Sequence, residues 1–255
     1  MKILFYRFIF LISIILIWEI VYTLKIFPEL LFPSIRTIFL SLFSGIANGR
    51  YLLMTMNTML LIFKGLVLGT VIALVLLWVS LINKFFLNIV DNIVIIMNPV
   101  PGLAIFPLVI LWFGLGTNAM TVILIHSVLW GLLLNLMAGI NSIPKIYKEI
   151  GLNLELSRYR MFKDIYLPAS MPFFIPGLKA ALARAWRSAI AVELVVGIMA
   201  NNAGLGWLMN YQRNILDIPG LFSTIFIIIA IGVFLEEVVF KVLERLTIKK
   251  WGIGQ

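Results

Sequence analysis

The sequence predicts an all-α polytopic membrane protein, a single transmembrane domain over residues 1–255 with six membrane-spanning helices. Three observations carry that prediction. Hydrophobic residues make up 62% of the chain and charged residues 12%, where a soluble domain has roughly 25% charged. The apolar residues form continuous runs close to the roughly 20 residues that a helical crossing requires, without the short alternating segments of a transmembrane barrel. Lys and Arg gather between the runs, predominantly on one side of the resulting topology.

The first apolar run covers 4–24 and follows Lys2 and Arg7. It is too long for a signal peptide and lacks a small-residue cleavage site, so it is expected as a retained span with its N-terminus cytoplasmic. Residues 25–56 form an external loop punctuated by Pro28 and Pro33, with Ser34 placed to cap an interfacial amphipathic helix over 35–46. The second span, 57–81, carries Gly65 and Gly69, a small-xxx-small spacing that permits close helix contact. A cytoplasmic turn at 82–87 contains Lys84.

The third span, 88–113, holds Asp91 and Asn92 near its start, then Asn98-Pro99-Val100-Pro101 and Pro107. Each proline removes a backbone donor and crowds the preceding turn, so the helix is expected to kink or break at membrane depth. Irregular backbone there is tolerated where protein buries it or where it lines a cavity. A kinked packing helix and a wall of a translocation path both fit; the path is the favoured reading, with Pro99, Pro101 and Phe106 as lining or gating residues. After an external turn at 114–118, the fourth span, 119–140, contains His126. An intramembrane His is either a functional group or a simple interhelical hydrogen bonder.

Residues 144–168, PKIYKEIGLNLELSRYRMFKDIYLP, hold five of the twenty basic residues and three of the eleven acids. Such charge cannot sit in a bilayer core. Ile146, Ile150 and Leu154 recur at spacing four, and Tyr159, Phe162 and Tyr166 at three and four, which predicts two short amphipathic helices in water or at the interface. A helix pair resting on lipid headgroups and a docking element for a soluble partner are both open on composition alone.

The fifth span, 169–200, carries Lys179, Arg184 and Arg187 in its first half and Glu193 deeper. For the arginines, anchoring at the cytoplasmic end and lining a path remain open. Glu193 requires a partner that spacing does not identify. Residues 201–220 read as an external loop with a short helix, and the last span, 221–242, leads into a basic cytoplasmic tail. Twelve Lys and Arg fall in inside segments (Lys2, Arg7, Lys84, the five of 144–168, Lys241, Arg245, Lys249, Lys250) against four outside, Lys25, Arg36, Arg50 and Arg213. That bias orients both termini and segment 144–168 to the cytoplasm of a multi-pass cell-membrane protein.

The net charge of +9 thus reports orientation rather than nucleic-acid binding. Without cysteine and with one His, the chain lacks the makings of a disulfide, a zinc site or a catalytic triad, and no cofactor is expected. No Gly-rich phosphate loop is present, so ATP, if it drives this protein, is hydrolysed on another chain.

Segment 144–168 resembles the coupling (EAA) loop of binding-protein-dependent ABC importer permeases. Glu149 takes the Glu position, and Phe162, Ile165, Leu167 and Pro168 fall in step. Further resembling stretches are Leu31-Phe32-Pro33-Ser34, 98–116, 135–144, 185–193 and Gly204-Leu205-Gly206, so the likeness spans about residues 30–250. It points to the sulfonate, nitrate and taurine uptake group, whose relatives also handle thiamine- or riboflavin-related compounds. Two departures stand out: Ile150-Gly151 replaces Ala-Ala, and Glu155 occupies the place of a Gly. Either Glu155 adopts a positive φ, or the turn shifts toward Gly151 or Asn153.

The resemblance implies a type I importer permease with a cytoplasmic coupling helix, paired with a second permease, taken as a copy of itself. It further implies two cytoplasmic ATPases and an external substrate-binding protein. Lys148, Glu149, Gly151, Glu155, Ser157, Arg158, Tyr159, Phe162, Ile165, Leu167 and Pro168 would couple to the ATPase, with Tyr159, Phe162 and Tyr166 as the apolar contact stripe. Pro99, Pro101, Phe106, Arg187 and Glu193 would line the path of a small solute such as a sulfonate, taurine or nitrate. The contrasting expectation is an ion-driven carrier using Asp91, His126 and Glu193 as relay groups. An intramembrane enzyme lacks any nucleophile–base pair.

Overall fold

The computed structural model describes residues 2–196 and 203–239, and every regular element among them is helical. The basic residues Lys241, Arg245, Lys249 and Lys250, Glu244, and the far ends of the spans expected at 169–200 and 221–242 lie outside the described residues. The chain runs α1 (Lys2–Thr23), α2 (Ile35–Ala47), α3 (Arg50–Ser80), α4 (Lys84–Met97), a 3-10 turn at Gly102–Ile105, α5 (Phe106–Phe113) and α6 (Thr117–Asn141). It continues as α7 (Lys145–Asn153), a 39-residue α8 (Arg158–Val196), α9 (Leu205–Asn214) and α10 (Ile218–Glu237). By length and composition α3, α6, α8 and α10 can each cross a membrane, and α4 with Gly102–Phe113 makes an apolar pair bent by 94°, the shape of a broken crossing or of a re-entrant loop. α1 adds 22 helical residues.

α6 is the central helix. Its length is buried from Ala119 to Ile140 against α3, α8 and the broken pair. Most other crossings bury a single stripe and expose large apolar residues outward, such as Phe63 and Val71 on α3 or Phe226 and Ile229 on α10. In water that surface would be costly; in lipid it is the expected exterior. The Gly65–Gly69 face of α3 lies flat on α6. A Cβ on Gly65 would strike the Leu124 side chain, and one on Gly69 would come within 2.8 Å of Val128 Cγ1.

Local chemistry sets the helix ends. The Ser34 hydroxyl accepts from Thr37 N–H at 3.2 Å and starts α2; the Glu19 carboxylate accepts from Ile35 N–H at 3.4 Å. Trp18 donates to the Pro33 carbonyl at 3.0 Å and stacks on Phe32 at 4.1 Å, which pins α1 to that turn. α1, α7 and α9 end in one motif. The residue after the cap takes a left-handed conformation at Lys25 (φ 51°), Glu155 (φ 48°) and Leu216 (φ 59°). Each is followed by an N–H that reaches five residues back: Ile26 to Val21, Leu156 to Gly151, Asp217 to Gln212.

Two boundaries differ from expectation, and a third takes one of the two forms expected of it. α3 begins at Arg50, a full turn and more before residue 57, because Gly49 (φ 72°) supplies the turn and Arg50 starts the helix directly. The third crossing, expected to kink or break, is not continuous: Pro99 and Pro101 carry no N–H, the helical ladder ends at the Asn98 N–H to Val94 carbonyl bond of 2.9 Å, and the chain changes direction just after it. The second amphipathic helix is not separate either: residues 158–166 continue straight into the fifth span. Pro168 has no N–H to donate, and the chain adapts with a π turn at Met161–Tyr166, in which Leu167 N–H bonds the Phe162 carbonyl.

Candidate functional site

Two features stand apart from ordinary packing: the charged segment at the α7–α8 corner and a cleft beside the broken crossing. At the corner, α7 closes in a Schellman motif. Leu156 N–H bonds Gly151 O and Glu155 N–H bonds Leu152 O, both at 3.0 Å. Glu155 occupies the left-handed position where Gly is usual, so the turn does not shift toward Gly151 or Asn153. Ser157 then caps α8 by accepting from Arg160 N–H at 3.4 Å. Gly151 is buried where α7 crosses α8, and a Cβ there would collide with Met161 Sδ and sit 2.5 Å from Ile165 Cδ1. The second small residue of the expected Ala-Ala pair therefore has a packing reason.

The contact stripe expected of Tyr159, Phe162 and Tyr166 is corrected. Tyr159 is 64% exposed, but Phe162 and Tyr166 turn inward against the main core. The helix continues without a break, so its three- and four-residue spacing serves the bundle. Lys148 lies 6.0 Å above the Tyr166 ring and closes that face. The exposed apolar surface comes instead from Ile146, Tyr147, Ile150, Leu152 and Leu154 of the α7 arm, joined by Tyr159. Glu149 and Arg158 are exposed beside it, while Leu167 is half-buried and Pro168 exposed at the helix shoulder.

The cleft, about 340 Å³, lies between the break and the middle of α6 and α8. Pro99 and Pro101 form one wall; His126, Ser127 and Trp130 of α6 and Arg184, Arg187 and Ser188 of α8 form the others. Ser127 and Ser188 hydroxyls are 2.8 Å apart, and Arg184 Nε donates to the Ser127 carbonyl at 3.0 Å. Among the described residues, Arg184 Nη2, Trp130 Nε1 and both His126 nitrogens are buried without a hydrogen-bond partner. Arg187 is exposed and also edges a second groove of about 560 Å³ between α8 and α10.

Of the residues expected along a path, Pro99, Pro101 and Arg187 thus line one cleft. Phe106 does not; it packs on the core past the break. Glu193 does not either, being 2% exposed. Its carboxylate accepts from Thr58 Oγ1, 2.9 Å from each oxygen, and from Gly206 N–H at 2.9 Å, while Thr58 Oγ1 accepts from Leu205 N–H at 2.9 Å. Asn57 adds a bond from its amide to the Ala203 carbonyl at 2.8 Å. Glu193 is therefore a latch that holds the start of α9 on α3 and α8, with Gly206 so close that a Cβ would meet the Ile190 carbonyl. The relay of Asp91, His126 and Glu193 is not assembled. Asp91 is exposed on α4, His126 lines the cleft, and Glu193 is enclosed with Thr58.

Thr58, Ser127, Trp130 and Ser188 escaped the sequence reading. Their one signal there, a polar atom inside an apolar run, is shared by many hydroxyls that simply bond their own helix.

Residues 65–249 match the family described as binding-protein-dependent transport system inner membrane component. The chain is 27% identical over 223 residues to a probable ABC transporter permease protein of Haemophilus influenzae, covering 87% of this chain and 88% of that one. It is 28% identical over 158 residues to the taurine transport system permease protein TauC of Escherichia coli, covering 62% and 56%. It is 29% identical over 150 residues to the riboflavin transport system permease protein RibX of Chloroflexus aurantiacus, covering 59% and 54%.

Proposed function

The chain belongs to the binding-protein-dependent transport system inner membrane components, and from that premise we propose that it is the permease subunit of an ATP-driven importer for a small anion such as a sulfonate, taurine or nitrate. In this reading an external binding protein delivers the solute. Two copies of the chain enclose the path, both termini are cytoplasmic, and two separate ATPases supply the energy.

The observation that carries the reading is the continuity of α8. One 39-residue helix, roughly 58 Å long at 1.5 Å per residue, bears Arg158 and Tyr159 at one end, Arg184 and Arg187 at the cleft, and Glu193 near the other end. The exposed apolar and charged surface of the α7 arm docks on the ATPase, and Gly151 and Met161 seat that arm on α8. Movement of the ATPases on nucleotide binding is passed to the cleft as rigid-body motion, because a packed helix tilts more readily than it shortens. The chain itself performs no bond chemistry; its work is to present the cleft alternately to the two sides.

Substitution Glu149→Lys tests this. Glu149 is exposed and contributes nothing to the core, so insertion and folding should persist while ATP-driven uptake in proteoliposomes is abolished. Unchanged uptake would refute the coupling assignment. Of the two solute classes suggested by the relatives, the two arginines at the cleft favour a small anion over a riboflavin-like compound.

A further inference from the structure

We propose that the cleft is itself an oxyanion-binding site, with Arg184 as its principal ligand and Arg187, His126 and Trp130 around it. The proposal rests on the reading of this chain as a path-forming permease and adds that the path contains a site for sulfonate- or carboxylate-like groups, independent of any binding protein.

The argument begins with cost. A guanidinium in the middle of a membrane helix needs compensation. Arg184 obtains one hydrogen bond, from Nε to the Ser127 carbonyl at 3.0 Å, and that bond leaves Nη2 buried and without a partner among the described residues. Trp130 Nε1, which can only donate, is in the same condition, as is the His126 ring. Among the described residues no Asp or Glu lines the cleft, so no described carboxylate of this pocket neutralises Arg184 or Arg187. Unspent donors and two positive groups around one space are complementary to an anion that accepts several hydrogen bonds.

The surroundings hold Arg184 in place for this. Gly131 lies beneath the guanidinium, and a Cβ there would overlap its Nη2 and Cζ atoms. On the other wall, Gly102 passes the Ser127 hydroxyl where a Cβ would come within 2.5 Å of it. Both substitutions would crowd residues that line the cleft, Gly131 against Arg184 and Gly102 against Ser127.

The test uses the purified full-length chain in nanodiscs, with iodide as an anionic quencher of tryptophan fluorescence. Wild type should show a saturable quenching component that Trp130→Phe lacks. Methanesulfonate should displace it and glucose should not. Arg184→Met should weaken the apparent iodide affinity by roughly tenfold or more, as expected for loss of a charge-assisted hydrogen bond, and Arg184→Lys should recover part of it. Gly131→Ala leaves both arginines present, so it decides the matter if Arg184→Met fails to fold; it too should weaken binding. Quenching linear in iodide, indifferent to methanesulfonate, or unchanged in Gly131→Ala overturns the site. ATP-driven uptake in proteoliposomes containing the ATPase and binding protein is measured separately. Uptake without the quenching site refutes the site alone; the site without uptake refutes the transport reading.

Discussion

Substitution of Glu193 by Leu separates a structural latch from a path residue. Leu has similar volume but accepts nothing, so Gly206 N–H loses its 2.9 Å acceptor and Thr58 loses its carboxylate. Thr58 keeps the bond it accepts from Leu205 N–H, which confines the loss to about one and a half interactions. An unsatisfied buried donor costs about 1–3 kcal/mol, so the start of α9 should be destabilised by about 2–4 kcal/mol. Gln retains one acceptor oxygen but turns an NH₂ toward the remaining donor, and should cost about half as much. Hydrogen–deuterium exchange reads this directly. The Leu205 and Gly206 amides should lose protection by roughly 30- to 1000-fold in Glu193→Leu, since about 1.4 kcal/mol is tenfold. Exchange at both amides indistinguishable from wild type would refute the latch. Uptake lost in Glu193→Gln with exchange unchanged would return Glu193 to the path.

Glu155→Gly should be tolerated and raise the stability of the α7–α8 corner by about 1 kcal/mol, since it removes a Cβ from a left-handed position; Glu155→Val should do the opposite, and thermal unfolding of the purified chain compares the two. Gly151→Val should force α7 away from Met161 and Ile165 and cut ATPase co-purification severalfold while leaving membrane insertion intact. Replacing Pro99 and Pro101 together by Ala restores two backbone donors, and should reduce the 94° bend; spin-label distances between positions 90 and 110 should lengthen and uptake should fall. An unaltered distance would mean that packing on α6, not proline, holds the break.

The sequence alone was sufficient for the fold class. Apolar run length, loop charge and proline position are local quantities, and the bilayer converts them into crossings because it leaves the backbone so few alternatives. The abnormality of 98–101, the cap at Ser34, the exposed charged character of 144–168 and the mismatch at Glu155 were all visible there, because each is a local feature of the chain. What only the tertiary structure decided is which polar groups meet. Glu193 and Thr58 are 135 residues apart, and the Ser127–Arg184 bond spans 57; no periodicity encodes either pairing. The inward turn of Phe162 and Tyr166 likewise depended on α8 continuing unbroken, which the π turn before Pro168 permits. In lipid an unpaired polar group is costly wherever it lies along the chain. A single sequence can therefore show that Glu193 and Arg184 need partners, but only the assembled bundle supplies one for Glu193 and leaves Arg184 facing the cleft.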